Sequence, residues 1–76
     1  MFTYNISKTA SSKEFKSACS AIESKLKGIK KEDLVTDVDG TQIQIYDTLD
    51  GKIKVFNDYE VDAVYADSEV DLSDIL

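Results

Sequence analysis

The sequence predicts an α+β domain in the order β-α-β-β-β, with about four mostly antiparallel strands and one helix packed across one face. Three observations carry this. Only residues 11–28 show a helical period, Phe15, Ala18, Cys19, Ile22, Leu26 and Ile29 recurring at spacings of three and four. Residues 2–7, 41–57 and 59–66 alternate apolar and polar side chains, the period of half-buried strands. Asp50-Gly51 divides the longest alternating stretch, a strong hairpin signal. The 76 residues make a single compact domain, 1–76, ending in an acidic tail at 67–76 that either docks or frays.

The opening strand sets Phe2, Tyr4 and Ile6 against Thr3, Asn5 and Ser7. It is expected to pair with a later strand, since its backbone groups need partners. Ser11 and Glu14 then have the form of a capping box, and Gly28 sits where a left-handed cap would close the helix. Glu23 and Lys27 are spaced as a helical ion pair. Residues 29–35 read as a short turn or irregular connection, with Ile29, Leu34 and Val35 expected under the helix end.

Asp37-Val38-Asp39-Gly40 reads as a turn. A calcium loop with Gly40 at its sixth position would put Val35 first and Tyr46 twelfth, where an Asp and a bidentate Glu are needed. In the hairpin that follows, a three-residue loop ending at Gly51 would gather Ile43, Ile45, Ile53 and Val55 on one face. Tyr46, Phe56, Gln44 and Lys54 would share the other. That uniformly aliphatic face makes this the expected register. Residues 43–56, most closely Thr48-Leu49-Asp50-Gly51-Lys52, resemble the first hairpin of ubiquitin. The resemblance implies shared turn chemistry and no function, because the order of elements around the hairpin differs. Residues 59–66 are expected to form the third hairpin strand, although Val61, Val64, Tyr65, Leu72 and Ile75 also fit a loose helical stripe.

Composition excludes several functions. The chain has no histidine and one cysteine, so the commonest general base and zinc ligand are missing; no metal or cofactor is expected. Cys19 lies on the apolar face of the helix and reads as a core residue. The three glycines are isolated, so there is no phosphate-binding loop. So small a domain has little room for the desolvated carboxylate pair an enzyme would need, and no catalytic residues are expected. No apolar run reaches the ~18 residues of a membrane span. Without a signal-peptide layout, the expected location is a cytoplasm, that of the host cell if the gene is phage-borne.

Charge is the informative feature. The net charge is −6, unevenly distributed. Residues 1–31 carry seven lysines against two acids, a balance of +5, and residues 32–76 carry two lysines against thirteen acids, −11. The lysines near the helix end lack the arginine fork that grips phosphate, and the acidic half opposes nucleic acid, so no direct nucleic-acid binding is expected. Asp47, Asp50, Asp58, Glu60, Asp62, Asp67, Glu69, Asp71 and Asp74 recur along the later strands and tail, with Tyr59 and Tyr65 among them. Alternate residues of a strand step by about 6.6 Å, close to every second phosphate of a DNA strand. These residues are therefore the candidate partner-binding surface, facing a basic protein such as a nuclease, polymerase or surveillance complex.

In its small size, acidity and α+β plan the chain resembles phage-encoded inhibitors of host defence, among them nucleic-acid mimics and some anti-CRISPR proteins. That resemblance implies an inhibitor or regulator; monomer and homodimer are both compatible with the sequence. The alternative is a generic interaction module, docking by an exposed sheet edge or by Tyr46, Phe56, Tyr59 and Tyr65.

Overall fold

Six strands form one antiparallel sheet in the computed structural model, which describes all 76 residues. The elements are β1 (Phe2–Ser7), α1 (Ser12–Lys25), β2 (Lys30–Lys31), β3 (Val35–Thr36), β4 (Gln42–Thr48), β5 (Gly51–Asp58) and β6 (Ala63–Ser68). The spatial order is β1-β6-β5-β4-β2, with β3 also paired to β4. The α+β class holds, with six strands in place of about four. The two extra are the two-residue strands β2 and β3, which pair with β4 where an irregular connection was expected. Two residues are too few to show a period. Ile29 packs on the core as expected, whereas Leu34 and Val35 stay exposed.

α1 buries Phe15, Ala18, Cys19 and Ile22 against Tyr46, Ile53, Val55, Val64, Ala66 and Leu72. Ser11 caps it, its hydroxyl accepting from the Glu14 N–H at 3.2 Å. The return half of the capping box does not form: the Ser11 N–H donates to Asn57 Oδ1 on β5 at 3.0 Å. The helix ends at Lys25 with Leu26 extended, before Gly28. Lys27 therefore lies beyond it, and Glu23 pairs with Lys31 at 3.3 Å.

The hairpin register differs from the expected one. Thr48 opposes Gly51, so the loop is Leu49-Asp50, and Ile45 faces Lys54 while Tyr46 faces Ile53. Tyr46 and Gln44 thus share the helix-covered face with Ile53 and Val55. Ile43, Ile45, Lys54 and Phe56 take the other. The reason lies across the core: Tyr46 is fully buried, and its hydroxyl donates to Glu23 Oε2 on α1 at 2.5 Å. An apolar body with a polar tip fills the space under the helix and still meets a partner.

β1 pairs with β6, as an opening strand with a later one. β6 begins at Ala63, not Tyr59. Residues 59–62 form a turn because Asp58 Oδ1 accepts the N–H groups of Glu60 and Val61, and Asp62 adopts φ +56°. In the tail, Asp67 and Ser68 belong to β6, and Leu72 is fully buried, its N–H donating to the Tyr4 hydroxyl at 2.7 Å. No helix is long and apolar enough to cross a membrane.

Candidate functional site

The candidate acids fall into separate groups. Asp47, Asp50 and Glu69 lie at the β4–β5 hairpin end. There Lys52 pairs with Asp47 at 3.4 Å and with Glu32 at 3.5 Å. The Asp47 carboxyl lies below its ordinary range, held there beside Glu32 by the Lys52 ammonium that both share. Glu69 Oε1 accepts the Lys52 N–H at 2.8 Å. Asp67 and Tyr65 sit on the sheet face that α1 leaves open; Asp67 accepts from the Thr3 hydroxyl at 3.0 Å. Asp71 and Asp74 belong to the C-terminal turn, where Asp71 accepts from the Tyr4 hydroxyl and the Ser73 N–H.

Asp58, Glu60 and Asp62 meet at the opposite end of the sheet with Tyr59. The structure adds Asp37 and Asp39, which the sequence analysis placed in a turn but not in the site. The β3–β4 turn, closed by Gly40 N–H to Asp37 O at 3.0 Å, lies against the β5–β6 turn. The Tyr59 N–H donates to Thr41 Oγ1 at 3.1 Å, and a Cβ on Gly40 would stand 3.6 Å from the Tyr59 ring. The signal was available: in an antiparallel hairpin the residues before β4 and after β5 must share an end.

This turn end carries five carboxylates, and none of the three ion pairs of the molecule includes any of them. Four accept backbone N–H groups: Asp37 from Val38, Asp39 from Thr41, Asp58 from Glu60 and Val61, and Asp62 from Ala10 at 2.8 Å. For Asp58 the Val61 N–H leads, and with the Tyr65 hydroxyl it holds the carboxyl below its usual range. Burial, and after it the same contact with Asp58, push Tyr65 up to about 12. Val38, Tyr59 and Val61 stand exposed among these acids. Because 59–62 is a turn, Asp58, Glu60 and Asp62 do not step at the pitch of a strand, which corrects that expectation. Tyr46 is fully buried, so it leaves the aromatic docking set.

The largest groove, about 610 Å³, runs between β1 and α1 and is lined by Tyr4, Ile6, Ala18, Ala21 and Ile75 among others. Glu14 is its one acidic side chain, so it holds no carboxylate pair with separated acidities. No three His, Cys, Asp or Glu side chains are grouped to hold a metal. No family model, curated protein or solved structure matches the chain.

Proposed function

We propose that this protein is a small non-catalytic inhibitor or regulator that binds the basic, nucleic-acid-binding surface of another protein through its turn end. One observation carries the reading: Asp37, Asp39, Asp58, Glu60 and Asp62 converge without a paired lysine, around exposed Val38, Tyr59 and Val61. Carboxylates fixed by backbone N–H groups present their charge with little reorganisation. They steer a cationic groove toward the site. The exposed tyrosine between them supplies the rigid amphipathic anchor that interface centres favour. The anionic cluster would occupy the groove in place of phosphates, by local charge and not by regular pitch. A host-defence nuclease or surveillance complex met by a phage-encoded inhibitor is a setting of this kind.

The test is a pull-down from lysate at low salt, eluted by a salt step, with DNA as competitor. The wild type is compared with the combined variant Asp37→Asn, Asp39→Asn, Glu60→Gln, Asp62→Asn, whose amides keep the turn-capping oxygens. The reading expects a basic nucleic-acid-binding protein that DNA displaces and that the variant fails to retain. Equal retention by the variant, or recovery of nothing basic, overturns it.

A second reading has one observation in its favour. β1 ends the sheet with an outer edge free of charge and proline, the kind to which an extended partner segment adds. It expects binding that salt leaves unchanged.

A further inference from the structure

The sheet face opposite α1 carries an apolar row. Val35 pairs with Ile43, Ile43 with Phe56, and Phe56 with Tyr65, one residue each from β3, β4, β5 and β6. The Phe56 and Tyr65 rings stack with centroids 4.7 Å apart. Neither α1 nor the buried Leu72 of the C-terminal turn covers this row, since both pack against the other face; Val35 is exposed and Ile43, Phe56 and Tyr65 are half-buried. The charges flanking the row on β5 are of opposite sign: Lys54 stands two residues before Phe56, and Asp58 two residues after it. Successive same-face residues alternate along a strand, so both point to this side. Lys54 takes part in none of the ion pairs of the chain.

The geometry points to a second copy of this chain as the occupant, related by a two-fold axis running along the apolar row. Rotation about that line lays Phe56 on Phe56 and Tyr65 on Tyr65, and reverses the strand direction. Lys54 of one copy then stands over Asp58 of the other, twice by symmetry. Asp67, beside Lys54 on the neighbouring strand, comes over Ala63, which has no charge to oppose it. The other two-fold that brings the faces together runs along the strands. Placed over β5, it would set Lys54 on Lys54 and Asp58 on Asp58, and like charges on a desolvated face oppose it. The Lys54–Asp58 complementarity therefore favours a second copy and this axis. The result is a sandwich of two near-aligned sheets about 10 Å apart. Its acidic turn ends lie at opposite extremes, each lending Asp58 to the contact between copies.

Carbodiimide coupling of a mixture of isotope-labelled and unlabelled protein tests it. Within one chain Lys54 and Asp58 are four strand residues apart, about 13 Å, which is too far for an amide bond between their side chains. The expected product joins Lys54 of a labelled chain to Asp58 of an unlabelled one, and sedimentation at millimolar concentration gives twice the 8.5 kDa chain mass. Lys54→Glu, with folding checked by circular dichroism, is expected to weaken association roughly tenfold. A single 8.5 kDa species at that concentration, or a dimer indifferent to Lys54→Glu, overturns the inference.

Discussion

Gly51 stands where β5 begins and where Glu69 crosses it. Its φ is +137°, and a Cβ there would lie 2.6 Å from the Glu69 Cβ. The Lys52 N–H donates to Glu69 Oε1, and the Glu69 N–H donates to Lys52 O, so the crossing has little freedom to move aside. Gly51→Ala is expected to lower the unfolding free energy by about 2 kcal/mol in denaturant titration, the order of one strained residue. Across the core, the Tyr46 hydroxyl, and then Lys31, hold Glu23 below its ordinary acidity of 4.5. A carboxylate whose folded pKa is depressed stabilises fully above its unfolded value and loses that contribution as pH falls through the folded one. The acid limb of the stability curve should therefore flatten in Tyr46→Phe. At neutral pH the variant should lose about 1 kcal/mol, the net worth of one such hydrogen bond. An unchanged acid limb would contradict the assignment.

At the scale of elements, the helix N-terminus is tied to the sheet by Asn57, whose Oδ1 takes the Ser11 N–H. Asn57 is fully buried, so Asn57→Ala leaves that donor without a partner and is expected to cost about 1–3 kcal/mol, read by hydrogen exchange in the first turn of α1. The tail is anchored by Leu72, also fully buried, and Leu72→Ala should cost about 2–5 kcal/mol in thermal or denaturant unfolding. Periodicity made α1, β1 and the β4–β5 pair legible because each is long enough to show its face. It did not reveal β2 and β3, whose two residues have no period. The hairpin register went astray because four aliphatic residues made a consistent face, while the Tyr46–Glu23 contact that decides it joins residues 23 apart in the chain. The turn at 59–62 hid within an alternating stretch, and what breaks the strand there is the Asp58 carboxylate bound to two backbone N–H groups.

At the scale of the molecule, the charge asymmetry was legible and its arrangement was not. The −11 of residues 32–76 does not fold into one continuous surface. Part is met by Lys52 at the hairpin end, part lies on the open face and C-terminal turn, and a further part gathers unpaired at the turn end. Asp37 and Asp39 join Asp58 there only because β4 and β5 pair, a contact that no count of charges along the chain contains. The central claim is that this end receives a cationic surface. Titrating isotope-labelled protein with an arginine-rich peptide, followed by amide chemical shifts at low and high salt, tests it most directly. The account predicts shifts concentrated at residues 37–41 and 58–62 that vanish as salt rises. Shifts spread evenly over every acidic residue, or centred on residues 47–52, would contradict it.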